Sequence, residues 1–176
     1  MLGTDATGLL DDDSPVIVHG VVSDPLWRGD ETLDPRRTLL SEKHPGTLAQ
    51  EVWVPPGNTV PRHPDLDPVH AACLPTAYLT AYRLLFTAAD LRPGQTVLIQ
   101  GSGGGVATAS ILLARAAGLR VWVTARDEAR GAAAVDLGAH AAFGSGERLP
   151  EQVDAVVETV GEATWAHSVR ALRPGA

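Results

Sequence analysis

The most constraining stretch of the chain is Thr96-Val-Leu-Ile-Gln-Gly-Ser-Gly-Gly-Gly-Val-Ala107. Thr96 to Gln100 is a short apolar run, the pattern of a strand buried on both faces of a parallel sheet. It enters a glycine loop, Gly101 to Gly105, and then an Ala- and Leu-rich helix from Val106 to Ala117, closed by Gly118. Gly101 allows a tight exit from the strand. Gly103 and Gly104 let backbone approach a phosphate, and the helix then aims its N-terminal amides at that anion. Ala107 is small enough for the helix to pack on the strand. The Gly-x-Gly-x-x-Gly pattern starting at Gly101 fails at Val106, whereas Gly-x-x-Gly-x-x-Gly/Ala fits Gly101, Gly104 and Ala107. The expectation is a dinucleotide-binding loop; a flexible glycine turn without a ligand is the alternative.

The flanking sequence alternates helices and strands. Thr76 to Ala88 reads as a helix opened by Pro75, and Arg120 to Thr124 as a second strand. Asp127 is placed to cap a helix reaching Leu137, closed by Gly138. Ala141 to Phe143 and Val153 to Thr159 read as further strands, and Ala163 to Leu172 as a last helix. This order predicts an α/β fold with βαβ crossovers and a parallel, doubly wound sheet. A ribose-binding carboxylate belongs at the end of the second strand. Thr124, Ala125 and Arg126 occupy that place, and a guanidinium there suits a 2′-phosphate, so NADP(H) is favoured over NAD(H). A solvated surface charge is the bland reading of Arg126.

Residues 1–68 read differently, with many Pro and Asp residues. Val16 to Val18 and Val21-Val22 suggest one strand interrupted by His19-Gly20, and Glu51 to Val54 another, stopped by Pro55-Pro56. Asp24 to His44 reads as a long loop. Prolines 61, 64 and 68 mark a crossing segment before a second region over residues 69–176.

Composition narrows the function. With 14 Lys and Arg against 21 Asp and Glu, net charge −7, the chain lacks the basic excess of a nucleic-acid binder. A single Cys excludes a disulfide framework. No apolar run is long enough to span a bilayer, and residues 1–13 lack the pattern of a secretory signal, so a cytoplasmic protein with no membrane partner is expected. The six histidines, at 19, 44, 63, 70, 140 and 167, show no ligand spacing and read as surface or cap residues.

Ala71 to Tyr82, Leu91 to Ala107, Asp136 to Ala139, Val153 to Gly161 and Ala171 to Gly175 together resemble the medium-chain dehydrogenase/reductase superfamily. Gly3 to Gly8, Gly46 to Val52 and Asn58 to Pro61 resemble its GroES-like catalytic domain. The resemblance implies part of that β-rich domain over residues 1–68 and part of a Rossmann-type NAD(P)-binding domain over residues 69–176. It implies cofactor contacts at Thr80, Gly101, Ser102, Gly103, Gly104, Gly105, Val106, Thr124, Arg126, Thr159, Val160 and Gly161.

The departures point to a branch. Zinc members carry Gly-His-Glu where this chain has Gly3-Thr4-Asp5, and their later Cys ligand falls at Thr76. Cys73 is out of register and reads as a packing residue. Asp24 to Leu40 lacks the four cysteines of a structural zinc lobe. The resemblance is therefore to the zinc-free, quinone-oxidoreductase-like branch. It implies NADPH-dependent hydride transfer to a small-molecule quinone, enone or other carbonyl; the alternative is an inactive NADP(H)-binding chain. No proton donor is evident, with Tyr78 and Tyr82 as weak candidates. A homodimer is the assembly the resemblance implies. Against the family pattern both ends are short, so a fragment is expected.

Overall fold

The computed structural model describes residues 2–175, and the chain divides into two units between Thr76 and Ala77. In the first, β1 (Ala6–Leu9), β2 (Pro15–Val18) and β5 (Thr59–Pro61) form an antiparallel sheet in the order β1-β2-β5. A separate antiparallel pair joins β3 (Val21–Val22) to β4 (Thr38–Leu39). Val18, Val22 and Leu40 make the small core. Helix α1 (Pro68–Ala72) has Pro at its start and Asp67 as its cap, accepting from the N–H groups of Val69 and His70.

Several expectations for this unit need correction. Val16 to Val18 and Val21-Val22 belong to two sheets, not one interrupted strand. The buried Asn58 amide forces the corner by donating to the carbonyls of His19 and Val21, each at 2.7 Å. Gly20 permits it, because a Cβ there would collide with the Thr4 side chain. Glu51 to Val54 forms no strand. Trp53 is 93% exposed, and the prolines that follow have no N–H for a ladder. Asp24 to His44 is not one loop: it holds a 3-10 turn (Glu31–Leu33) and β4. Buried Asp34 organises it, accepting the N–H groups of Asp24 at 2.7 Å and Arg36 at 2.8 Å. By its internal contacts the first unit runs through Thr76, and α1 belongs to it because it packs on β1 and β2.

Leu74 to Ala88 is helical but less regular than the expected Thr76 to Ala88 span. Wide π turns, Leu74–Tyr78 and Arg83–Ala88, flank a single α-helical turn, α2 (Leu79–Tyr82). Then follow β6 (Thr96–Ile99), α3 (Gly105–Ala116), β7 (Arg120–Ala125), α4 (Glu128–Asp136), β8 (Ala141–Gly144), β9 (Ala155–Val157) and α5 (Glu162–Ala171). The four strands are parallel in the order β8-β7-β6-β9. Alternate residues of β6 enter opposite cores. Val97 and Ile99 pack with Ile111, Val121 and Val123, while Leu98 packs with Trp122, Val153 and Ala171. Both faces are therefore covered, as a doubly wound sheet requires. The glycines that end α3 and α4, Gly118 and Gly138, have φ of 73° and 125°. Asp127 caps α4, accepting the Arg130 N–H at 2.9 Å. Among the described residues no helix is long and apolar enough to cross a membrane.

Candidate cofactor-binding site

From β8 at one edge the chain crosses to β9 beyond β6, so the strand order reverses at β6. In open parallel sheets a crevice forms outside the carboxyl ends at that point. Here it is a cleft of about 520 Å³. Its floor is Gly101 to Gly104, and one wall carries Thr124, Arg126 and Arg130. The other carries Thr159, Val160 and Thr164.

The loop has the features that anion-binding loops use. Gly101 has φ of 83°, a left-handed conformation that a side chain would strain. Nothing lies within 4 Å of where a Cβ on Gly104 would be, so the missing side chain leaves open space. Gly104 offers α3 no side-chain cap, and the first intrahelical bond, Thr108 N–H to the Gly104 carbonyl, begins beyond the first turn. The Ser102 hydroxyl is buried without a hydrogen-bond partner. An unpartnered hydroxyl, uncapped amides and a glycine-lined opening fit a pyrophosphate. The two arginines on the wall fit a further phosphate.

A hydrogen-bond network underlies both walls. The Thr124 hydroxyl donates to Gln100 Oε1 at 2.8 Å and accepts the Gly101 N–H at 2.9 Å. Gln100 Nε2 reaches His167 Nδ1 and Ser168 Oγ, each at 2.9 Å. Ser168 donates to Glu158, which also accepts from the Thr164 hydroxyl and from the N–H groups of Val160 and Gly161. Burial pushes the Glu158 carboxyl up. The hydrogen bonds from Ser168, Gly161, Val160 and Thr164 outweigh it and hold the group below the usual carboxylate range.

Of the residues expected to contact a cofactor, Gly101, Ser102, Gly103, Gly104, Thr124, Arg126, Thr159 and Val160 meet at the cleft. Thr80 is exposed on α2, Gly105 and Val106 begin α3, and Gly161 precedes α5; none of these four lines it. The Thr124 hydroxyl is already engaged within the chain, and so is the Gly101 N–H. Tyr82 stacks edge-on against Phe86, and neither Tyr82 nor Tyr78 lines the cleft. Cys73 is exposed rather than packed. His167 is buried and hydrogen-bonded to Gln100, where a surface or cap residue was expected. Gln100, Arg130, Glu158, Thr164 and Ser168 were missed. The one available signal was a glutamine ending an otherwise apolar strand.

In the first unit, the Asp5 carboxylate accepts from the Thr76 hydroxyl at 2.6 Å and its N–H at 2.9 Å. Among the described residues no group of three or more His, Cys, Asp or Glu side chains could hold a metal ion.

A parallel sheet with a glycine loop and an uncapped helix at its crossing point defines a Rossmann-type unit. A family model described as zinc-binding dehydrogenase matches residues 105–176. The quinone oxidoreductase of Pongo abelii is 37% identical over 106 residues, 60% of this chain and 32% of that one. The apo-structure of 2-octenoyl-CoA carboxylase reductase CinF from Streptomyces matches with a TM-score of 0.92 and 25% identity, over 100% of this chain and 49% of that one. The quinone oxidoreductase from Thermus thermophilus, solved also in complex with NADPH, matches with a TM-score of 0.68 and 28% identity, over 96% and 50%. The chain thus spans about half of these solved structures and about a third of the Pongo abelii enzyme. Diketide and polyketide synthases also match, and it spans 2% to 6% of those. By these likenesses the chain resembles the medium-chain dehydrogenase/reductase superfamily.

Proposed function

We propose that the cleft binds NADP(H), and that the chain serves an oxidoreductase reducing a small-molecule quinone, enone or other carbonyl without zinc. The observation that carries this reading is the pairing of Arg126 and Arg130 on the cleft wall, with no carboxylate at the end of β7. Two guanidiniums suit a 2′-phosphate, and among the described residues no carboxylate lines the cleft to accept from a ribose hydroxyl pair. When bound, the reduced nicotinamide supplies the hydride. The chain's part is to seat the phosphates on the Ser102 to Gly104 loop and α3, and to orient the cofactor between Thr124 and Thr159. The zinc-free assignment is supported by Thr4 and Thr76 at the positions of the family's ligands, and by the engagement of Thr76 with Asp5. The substrate class is supported by the relatives, named as quinone oxidoreductases and as a 2-octenoyl-CoA carboxylase reductase. A cytoplasmic homodimer belongs to the same proposal.

NADPH oxidation against a panel of quinones and enones tests it. Turnover with at least one acceptor is expected; tight NADPH binding with no turnover would favour a binding-only role. One feature favours that second reading: among the described residues, no Tyr, His or Lys lines the cleft to donate a proton.

A further inference from the structure

The hydrogen-bond network beneath the cleft has only one direction available to it with a neutral histidine. At one end, the Glu147 carbonyl can only accept, so His167 Nε2, at 2.8 Å, carries the ring proton and Nδ1 is bare. At the other end, the Glu158 carboxylate can only accept, so Ser168 donates to it at 2.5 Å. Gln100 must then turn its amide nitrogen toward His167 and Ser168 and its oxygen toward Thr124. Flipping that amide would set oxygen against the bare Nδ1. The Thr124 hydroxyl therefore donates to Gln100, and its oxygen is left to accept the Gly101 N–H. Glu158 also holds the Val160 and Gly161 amides of the facing wall.

We propose that Glu158 and His167, neither of which lines the cleft, are positioning residues for the dinucleotide. Together they set the direction of a hydrogen-bond chain that fixes the first amide of the glycine loop. This deepens the cofactor reading above and rests on it.

The test is amide hydrogen exchange by NMR on the full chain without cofactor, followed by NADPH titration. Gly101 exchanges slowly in the unsubstituted chain. Glu158→Gln combined with His167→Leu speeds it by about tenfold or more, because either anchor alone still orients Gln100 and only their joint loss leaves the amide without an oriented acceptor. Glu158→Gln combined with His167→Asn, whose Oδ1 can accept in place of Nδ1, keeps it slow, and NADPH affinity follows the same order. Unchanged Gly101 exchange in the chain carrying both Glu158→Gln and His167→Leu would overturn the proposal. If those variants do not fold, Thr124→Val and Thr124→Ser probe the same link. Only the valine should release the amide, and slow exchange in Thr124→Val would equally overturn it. The expected exchange pattern without any NADPH binding would overturn the cofactor reading while upholding the direction of the chain.

Discussion

Asp5 and Thr76 are 71 positions apart in sequence, yet the Thr76 hydroxyl donates to the Asp5 carboxylate at 2.6 Å. These are two positions that sequence resemblance aligns with the zinc-site motifs of related dehydrogenases. In this chain they meet as a hydrogen-bonded pair. Thr76→Val should lower stability by about 1 kcal/mol, since the pair is exposed and the Thr76 N–H still reaches the carboxylate. Urea unfolding measures this, and an unchanged midpoint would contradict the pairing.

The arginine pair predicts cofactor discrimination. Arg126→Ala should weaken NADPH by about tenfold or more, the value of a charge-assisted hydrogen bond, and change NADH by less than about twofold. Arg130→Ala should act in the same direction. Equal losses for both dinucleotides would remove the 2′-phosphate role.

Two glycines should separate folding from binding. Gly101, at φ of 83°, should lose about 1–3 kcal/mol of stability on substitution by Ala. Gly104 has φ of −90° and open space around it, so Gly104→Ala should change stability by less than about 0.5 kcal/mol. Its methyl group would nevertheless occupy the phosphate approach, so NADPH affinity should fall. Calorimetry on both variants, with and without NADPH, distinguishes the two effects.

Much of this site was legible because its determinants are local. The apolar strand, the glycine loop, the Asp127 cap and the glycines ending α3 and α4 each act within a few residues, and each was readable from sequence. The brace beneath the loop was not. Gln100 is joined to Thr124, His167 and Ser168 across separations of 24, 67 and 68 residues, which no periodicity reveals. The first unit was harder for the same reason. The switch from β2 to β3 is dictated by Asn58, 37 to 39 residues away. Trp53 is a β-favouring residue, yet it is 93% exposed and Glu51 to Val54 forms no strand.

Two groups predict the pH dependence of stability. Burial, then the charges of Arg115 and Arg120, lower the pKa of His140 from its usual 6.5. The folded state therefore favours neutral His140, and the unfolded state binds more protons below 6.5. Stability should fall as pH drops below that value, and His140→Asn should remove this slope. Glu158, held below its usual 4.5, adds stability that is present above that value and is lost as pH falls through its lower folded value. Glu158→Gln should remove that acid-side loss. Urea midpoints across pH check both.

The functional reading stands or falls on whether the cleft between β7 and β9 holds NADPH. A thermal-shift titration of the chain with NADPH and, separately, NADH is the decisive check, because a ligand bound only by the folded state must raise the Tm. The expected result is a saturable rise with NADPH at concentrations where NADH gives little. A Tm unchanged by either dinucleotide, or raised equally by both, would contradict an NADPH site in this cleft.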